Sequence, residues 1–242
     1  RLHQEGFKVI AGCGPTRDFT KWLDEQKALG FTFYASVGNV GDWDSTVEAF
    51  AKAKAEHGSI DVLVNNAGIT KDGVFRKMSV EDWMAVIDTN LNGTWWMMQE
   101  AAKRWRADGK PGHVINIVAN VERGMPQAAH NCAARAGVIY LSKTLATEWA
   151  PHKIRINCVG PGVIETEGFN VYPEEALQRF HNANPMKMRG NAWDIAEQVL
   201  YLSSPAGRFI NGDLIIIDGG QAQWGTVWPA GMPDYFKEDG AA

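Results

Sequence analysis

Small residues follow two short apolar runs, at places where a bound ligand could reach the main chain. Gly12 and Gly14 come after the run at 7–11, and Asn66-Ala67-Gly68 comes after the run at 61–65. Ligands of open α/β sheets bind at the carboxyl ends of strands. The first end lacks an Asp or Glu to hold ribose hydroxyls, whereas Arg17 could face a 2′-phosphate. We therefore expect a dinucleotide site that favours NADP(H); the alternative for Arg17 is a solvated loop side chain.

The segments that would position these residues alternate between strand and helix. Short β-branched runs predict buried strands at 7–11, 31–37, 61–65, 113–118, 154–159 and 214–218. Helical periodicity lies between them, at 22–29, 45–57, 79–106, 133–149 and 194–202. Ser79 is a candidate N-cap of the third helix, with Asp82 in its first turn as in a capping box. This alternation predicts an α/β fold with a single doubly wound parallel sheet and helices on both faces.

Length and composition exclude several classes of protein. The chain has 242 residues, of which 45% are apolar, so one domain can form a core without disulfides or a structural metal. Three scattered cysteines show no metal-ligand spacing, and we expect a reducing, cytoplasmic location. The net charge of −4 argues against nucleic acid or an acidic membrane as a partner. No apolar run approaches the ~20 residues of a membrane span, and we recognise no signal peptide.

Four motifs in order along the chain resemble those of the short-chain dehydrogenase/reductase family. They are its Asn-Asn-Ala-Gly motif at 65–68, its buried helical asparagine at Asn90, its sixth strand and Pro-Gly turn at 154–162, and the end of its last strand at 218–220. The likeness covers nearly the whole chain. It implies a Rossmann-like oxidoreductase domain over residues 1–242, with 221–242 as a C-terminal tail.

The resemblance also implies which residues hold the dinucleotide. Gly38-Asn39-Val40 stands where the family has an Asp-Val pair beneath the adenine, with Asn in place of Asp. The candidate cofactor-binding residues are Gly12, Gly14, Arg17, Gly38, Asn39, Val40, Asn66, Ala67, Gly68, Pro161, Gly162, Ile164 and Thr166. No metal site is implied.

The catalytic residues are where the chain departs from the family pattern. The family uses Asn, Ser, Tyr and Lys, and its Tyr-x-x-x-Lys spacing puts both side chains on one helix face. The ammonium lowers the pKa of the phenol, which exchanges a proton with the substrate oxygen. Here Asn90 is kept, but Ala119, Asn131 and Arg135 stand at the other three positions. Asn131 can donate a hydrogen bond but cannot deliver a proton, and Arg135 hardly titrates.

Two neighbouring residues are candidates for a replacement acid. His130 titrates near neutrality and adjoins the vacant tyrosine position. The alternative is a histidine at the start of a helix that bonds to the main chain. Glu122, in the loop after the predicted fourth strand, is a second candidate, and a solvated glutamate is its alternative.

These replacements bear on the substrate. Reduction of a ketone places charge on an oxygen that must be protonated at once, whereas reduction of a 2-enoyl thioester gives an enolate that hydrogen-bond donors can stabilise. Asn90 and Asn131 suit the second reaction better than the first. The resemblance of residues 1–91 to members that reduce acetoacetyl-CoA implies that Asp72 lies near an acyl-CoA; an ordinary loop acid is the alternative.

Three functions remain open at this point. The first is an NADP(H)-dependent reductase of 3-oxoacyl-CoA or 2-enoyl-CoA thioesters. The second is a catalytically impaired or chimeric scaffold. The replaced Ser, Tyr and Lys and the missing glycine-rich loop favour impairment, and a chimera would explain why residues from about 92 onward instead resemble members that reduce trans-2-enoyl-CoA or act on citronellol. The third, from the same resemblance, is a terpenoid alcohol dehydrogenase.

We also have expectations for the two ends of the sequence and for the oligomeric state. Residues 1–6 resemble the end of the family's first helix, so we expect the preceding strand and glycine-rich loop to lie outside this sequence; a protein without them would not bind dinucleotide tightly. The aromatic tail would cover the domain or a neighbouring subunit, or close over the site. Family members pair the helices matching 79–106 and 132–149 between subunits, which implies a homo-oligomer, a dimer or a tetramer.

Overall fold

A computed structural model describes residues 1–16, 18–166 and 174–223 of the chain. Its strands are β1 (Val9–Cys13), β2 (Phe33–Val37), β3 (Val62–Asn65), β4 (Gly112–Ile117), β5 (Ile154–Pro161), β6 (Ile164–Glu165), β7 (Gly190–Asn191) and β8 (Leu214–Ile217). Its α-helices are α1 (Phe19–Ala28), α2 (Trp43–His57), α3 (Val80–Ile87), α4 (Gly93–Asp108), α5 (Ala129–Trp149), α6 (Glu174–Arg179) and α7 (Ala192–Ser203). Within these ranges no helix is both long and apolar enough to cross a bilayer.

The main strands form a central parallel sheet, which confirms the predicted α/β class. Four strands pair in the order β3-β4-β5-β8, and all are parallel. The predicted sheet is not continuous, because β1 hydrogen-bonds to β2 in a separate parallel pair. Since strands that pair in parallel end on the same side, the turns after β3, β4, β5 and β8 lie along one edge of the central sheet.

Helices cover both faces of this sheet because successive strand residues point to opposite sides. Val114 of β4 belongs to a core cluster with residues of α2 and α4, such as Phe50 and Trp105. Its neighbour Ile115 packs on the other side with Val199 and other residues of α7. The indole of Trp105 lies so close to Gly112 that a Cβ there would overlap it, so the strand must begin with glycine.

The segment predicted as one helix at 79–106 is divided in the structure. Ser79 caps α3 as expected, since its Oγ accepts a hydrogen bond of 3.0 Å from the main-chain N–H of Asp82. A π-helical turn over Asp88–Asn92 then separates α3 from α4. π-turns of this kind often occur at functional sites, and this one buries the side chain of Asn90 completely.

A buried polar network holds the opposite edge of the sheet, where β4 and β5 begin. The guanidinium of Arg155 donates to the carbonyl oxygens of Leu202, Gly207 and Ile210, at the end of α7 and just beyond it. Its Nη2 lies 3.1 Å from Nδ1 of His113, which is 4% exposed. Burial and the charge of Arg155 lower the pKa of His113 to about 3, so this imidazole is neutral at ordinary pH.

Candidate active site

Exposed turns with small side chains follow the strands at their carboxyl ends. Asn66, Ala67 and Gly68 come directly after β3 and are all exposed. Their main chain is therefore accessible at the edge where α/β proteins bind ligands. The side of Gly68 facing the protein is filled, because a Cβ there would overlap Nη2 of Arg135 and lie 3.3 Å from Oδ1 of Asn90. The turn thus lies directly against two of the predicted catalytic residues.

Asn90 has an orientation fixed by the main chain. Its Oδ1 accepts a hydrogen bond of 2.9 Å from the N–H of Ile69, and its Nδ2 donates one of 2.9 Å to the carbonyl oxygen of the same residue. A flipped amide would place donor against donor and acceptor against acceptor, so the positions of its nitrogen and oxygen are determined. The buried π-turn asparagine therefore ties the loop after β3 to the helical layer.

Asn131 takes its polarity from Asn90. Nδ2 of Asn90 lies 3.0 Å from Oδ1 of Asn131, and because Asn90 must donate here, Asn131 must accept through its oxygen. The Nδ2 group of Asn131 is left as a hydrogen-bond donor with no protein partner among the described residues. The residue that we predict to stand at the family's tyrosine position is thus a hydrogen-bond donor that does not titrate.

Arg135 lies four residues further along α5, on the same face as Asn131. Its Nη1 donates to the carbonyl oxygen of Ile117 at the end of β4, over 3.1 Å. Its Nε is buried without a hydrogen-bond partner in the described structure. Burial lowers the pKa of this guanidinium, and no carboxylate contributes an opposing effect. Because an arginine pKa starts above 12, the group stays a cation.

His130 is not placed to give a proton to a substrate. It is completely buried, and Nδ1 accepts a hydrogen bond of 2.7 Å from the N–H of Asn131. The proton must therefore reside on Nε2, which lies 2.9 Å from the carbonyl oxygen of Lys71 and donates to it. Both ring nitrogens are used by the main chain, which is the alternative that the sequence left open.

The other candidate catalytic residues lie in the loop after β4. Ala119, which we predict to stand at the family's serine position, follows this strand and has no polar side chain. Glu122 is exposed in a turn three residues later, with no hydrogen bond or ion pair in the described structure. The described residues around Asn131 and Arg135 therefore present hydrogen-bond donors and no placed acid.

In the turns after β1 and β2, some of the predicted cofactor-binding residues have open space around them and others are tightly packed. Gly12 and Gly14 have open space where a side chain would stand, so a ligand could approach them closely. Gly38 is needed for packing, since a Cβ there would lie 2.8 Å from Cβ of Ala49. Asn39 accepts a hydrogen bond from the N–H of Gly41 and shapes the turn after β2.

Val40 and Arg17 are the other two predicted cofactor-binding residues of this region. The carbonyl oxygen of Val40 lies against Gly93 at the start of α4, where a Cβ would overlap it. This contact brings the turn after β2 close to the π-turn that carries Asn90. Arg17 lies outside the described residues.

The turn after β5 lies at the same carboxyl edge of the central sheet and packs against the segment after β8. The N–H of Gly162 donates to the carbonyl oxygen of Ile217, and a Cβ at Gly162 would lie 2.9 Å from Oε1 of Gln221. That amide oxygen is buried without a protein partner in the described structure. Pro161 ends β5, Ile164 pairs with Gly190 in a short two-stranded sheet, and Thr166 is exposed.

Gln221 and the side chains that fix this turn could not be identified as site residues from the sequence. Oδ2 of Asp218 accepts hydrogen bonds from Nδ2 of Asn120 and from the N–H of Ala222, at 2.7 and 2.6 Å. Asp218 thereby holds the loop after β4 against the segment after β8. The Asp-Gly-Gly motif at 218–220 was the available signal, but it shows a turn and not the partners of the carboxylate.

Asp72 lies on the exposed loop after β3, beside the site. Its carboxylate accepts a hydrogen bond from the hydroxyl of Thr70, so its position is set within the loop. The N–H of Gly73 donates to the carbonyl oxygen of Gln127, which together with His130 fastens this loop to the segment before α5.

Comparison with known proteins identifies the family. A family model described as enoyl-(acyl carrier protein) reductase matches residues 1–222. Acetoacetyl-CoA reductase of Cupriavidus necator is 42% identical over 222 residues, which cover 91% of this chain and 90% of that protein. The chain belongs to the short-chain dehydrogenase/reductase family. The 3-oxoacyl-(acyl-carrier-protein) reductase FabG of Thermotoga maritima is 36% identical over 90% of this chain and 88% of its own length.

This short-chain dehydrogenase/reductase has the same fold as solved structures of other proteins. A candidate gluconate dehydrogenase from Agrobacterium tumefaciens superposes with a TM-score of 0.84 at 28% identity, covering 92% of this chain and 89% of that one. The predicted family and fold are thus confirmed, and the chain is an oxidoreductase of a family that uses a nicotinamide cofactor.

The carboxyl edge is compatible with such a cofactor. Asn66–Gly68 presents accessible main chain, and the wall behind Gly68 has no room for a larger residue. The orphaned Nε of Arg135 and Oε1 of Gln221 are a buried donor and a buried acceptor that the described protein leaves unpaired. Buried polar atoms without partners cost free energy unless a ligand or water satisfies them, so both ends of the edge favour a polar ligand.

Proposed function

We propose that the protein is an NADP(H)-dependent reductase of acyl-CoA thioesters and that 2-enoyl thioesters are its preferred substrates. The observation that carries this proposal is the fixed polarity of Asn131. Its Oδ1 must accept from Asn90, so it can offer a substrate oxygen only the N–H groups of Nδ2. The names of the relatives support a thioester substrate, since they include an acetoacetyl-CoA reductase and a 3-oxoacyl reductase.

The cofactor would lie along the turns that follow the strands. Gly12, Gly14 and the turn 38–40 would hold its adenosine half, and Asn66, Ala67, Gly68, Pro161, Gly162, Ile164 and Thr166 would hold its nicotinamide half. When bound in its reduced form, the nicotinamide supplies a hydride. Arg17 is proposed to face the 2′-phosphate and thereby to select NADP(H).

The residues of this chain suit a reaction that needs no acid at the substrate oxygen. When hydride adds to the β carbon of a 2-enoyl thioester, the electron pair of the Cα–Cβ double bond moves to form an enolate with its negative charge on the thioester oxygen. Nδ2 of Asn131 donates a hydrogen bond to that oxygen, and Asn90 holds the amide in position. Water then protonates the α carbon and leaves hydroxide, and the thioester carbonyl is restored.

Ketone reduction makes a different demand on the same residues. The alkoxide formed from a 3-oxoacyl thioester has no resonance, so it must take a proton from a nearby acid. Asn131 cannot give one, and His130 is buried with both nitrogens bound to the main chain. The same argument counts against a terpenoid alcohol dehydrogenase, which would have to remove a hydroxyl proton.

Asp72 and the assembly complete the proposal. Asp72 stands on the loop that His130 and Gly73 hold against the rest of the site, so it is proposed to contact the pantetheine portion of the substrate. A homo-oligomer, a dimer or a tetramer, is proposed through α4 and α5, whose outward residues Trp95 and Tyr140 are 41% and 69% exposed.

The test compares two substrates with the full-length protein. NADPH oxidation is followed with crotonyl-CoA and with acetoacetyl-CoA, and we expect turnover of crotonyl-CoA to be faster. The variant N131L keeps the side-chain size but removes the amide, and it should lower kcat with crotonyl-CoA by about 10²–10³-fold, as the loss of one donor to an oxyanion does. The exposed E122Q is the matched control and should change little.

Three results would contradict the proposal. Turnover of acetoacetyl-CoA alone would show that an unrecognised acid serves the site. An unaffected N131L would remove Asn131 from the reaction. Binding of NADPH without turnover of either thioester would instead support an impaired scaffold.

A further inference from the structure

A small cleft lies at the edge of the central sheet opposite the candidate active site. Its volume is about 240 Å³, and it is formed by the segments that lead into β4 and β5. These strands pair in parallel from their first residues, Gly112 beside Ile154, so the segments before them lie side by side. The titratable side chains that line this basic cleft are all basic, namely Arg106, Lys110, His152 and Lys153.

The basic cleft concentrates positive charge in a chain whose net charge is −4. Its four basic side chains are exposed and make no ion pair or hydrogen bond with the described residues. The nearby carboxylate of Asp108 is bound to Nζ of Lys54 at 2.6 Å. The pKa of Asp108 is lowered by this hydrogen bond first and also by the charge of Lys110. Because Lys54 already satisfies Asp108, the cleft keeps an excess of positive charge.

Lys153 has a main-chain conformation that lysine rarely adopts. Its φ of 58° lies in the left-handed region, which favours glycine. Lys153 ends the 3₁₀ turn Ala150–His152, and the residue that ends α4 in the same conformation is Gly109, with a φ of 65°. A glycine would therefore relieve the strain at position 153. Strained residues often mark binding sites, and the lysine side chain at this position lines the cleft.

Two prolines limit the motion of the segments that form the basic cleft. Pro111 directly follows Lys110, and Pro151 comes just before His152 and Lys153; both prolines line the cleft. A proline ring fixes its own φ and also restricts the residue before it. Less conformational freedom is then lost when a ligand binds, so the main chain of the cleft is preorganised.

We propose that the basic cleft binds a diphosphate group, either as free pyrophosphate or as part of a nucleotide. Three permanent cations around one small space favour a ligand with more than one negative charge. The guanidinium of Arg106 can bind phosphate oxygens in pairs, and the ammonium groups of the lysines bind them as point charges. The volume is below the roughly 300–1,000 Å³ of ordinary small-molecule sites, so a compact anion fits better than an extended ligand.

The alternative is that these cations only stabilise the ends of helices. Basic side chains interact favourably with the carbonyl end of a helix, and Arg106 does lie in the last turn of α4. This role does not require a lysine in the strained conformation of residue 153. The proposed site is also independent of the proposed reductase function, because it lies at the opposite edge of the sheet from the residues assigned to that function.

The experiment measures binding of pyrophosphate to the full-length protein by isothermal titration calorimetry, at constant ionic strength and without cofactor. We expect saturable binding that K110Q and K153G each weaken by about tenfold or more, the loss expected for one hydrogen bond to a charged group. K27Q is the matched control, since Lys27 is an exposed cation in the last turn of α1, outside the cleft. Its affinity for pyrophosphate should equal that of the wild type. Without anion, K153G should unfold at the same temperature as the wild type or higher, because glycine relieves the left-handed conformation.

A second titration with ADP separates the two sources of the diphosphate. If the cleft takes a free diphosphate only, K153G will weaken binding of pyrophosphate and leave that of ADP unchanged. If it takes a nucleotide, K153G will weaken both. Pyrophosphate bound equally by the wild type, K110Q and K153G would place the anion elsewhere, such as at the cofactor turns, and would overturn the proposal. Absence of pyrophosphate binding, with a lower unfolding temperature for K153G, would overturn it in favour of the helix-end role.

Discussion

Lowering the pH from 7 to 5 should destabilise the fold through His113, far from the candidate site. This side chain is buried where β4 begins, and it faces donors on two sides. Nη2 of Arg155 lies 3.1 Å from its Nδ1, and Nδ2 of Asn157 lies 3.1 Å from its Nε2. The orientation of Asn157 is fixed because its Oδ1 accepts the N–H of Asp213. Protonation of His113 would therefore convert its one accepting nitrogen into a donor that faces another donor, beside the existing cation of Arg155.

The magnitude follows from the two pKa values. Burial and the charge of Arg155 hold the pKa of His113 at about 3 in the folded protein, against about 6.5 in the unfolded chain. Below pH 6.5 the unfolded chain therefore binds a proton that the folded protein does not. The contribution to stability is complete above pH 6.5 and falls by about 1.4 kcal/mol per pH unit below it. Integrated from pH 7 to pH 5, the loss is about 2 kcal/mol.

Urea unfolding at the two pH values measures this loss. In H113Q the titrating group is absent, so the difference in unfolding free energy between pH 7 and pH 5 should be smaller than in the wild type by about 2 kcal/mol. H113Q will itself be less stable, but the comparison uses the pH difference within each protein. The exposed H152Q is the matched control, and its pH difference should equal that of the wild type. Equal pH differences in H113Q and the wild type would refute the reasoning.

Two further predictions concern the candidate site. The triple variant A119S/N131Y/R135K restores the family residues, and an acid at the substrate oxygen should raise acetoacetyl-CoA reduction by about 10²–10⁴-fold; a correctly folded triple variant without this gain would show that these replacements do not limit ketone reduction. G68A would force Nη2 of Arg135 out of its position and should weaken NADPH binding in a fluorescence titration, whereas G73A, whose nearest neighbour is 3.9 Å away, should bind as the wild type does.

The elements of the fold could be predicted because their signals are local. Alternating β-branched runs gave strands within a few residues of those observed, and the side chain of Ser79 caps α3 as its position implies. The shared face of Asn131 and Arg135 likewise follows from helical geometry alone. The π-turn at 88–92 has no such signal, because it is stabilised by contacts that the segment makes elsewhere, such as those of Asn90 with Ile69.

The chemistry of the site was less predictable because it depends on which groups meet. In the sequence His130 is a plausible acid beside a vacant tyrosine position, but the N–H of Asn131 and the carbonyl oxygen of Lys71 occupy both of its nitrogens. Nor could the sequence show that Nε of the partly buried Arg135 is left without a hydrogen-bond partner in the described structure. Both properties arise from segments far apart in the chain, and only the packed structure brings them together.

The polarity of the site can be traced to one main-chain group. The N–H of Ile69 fixes Oδ1 of Asn90, Asn90 then fixes Oδ1 of Asn131, and the Nδ2 group of Asn131 is left as a donor without a partner among the described residues. A tyrosine at this position could donate or accept as it lost its proton, but this relay cannot reverse without breaking a buried hydrogen bond. Among the described residues, Asn90 and Asn131 can therefore donate hydrogen bonds to a developing negative charge but cannot supply or remove a proton, which is why the proposed reaction is one whose proton goes to carbon from water.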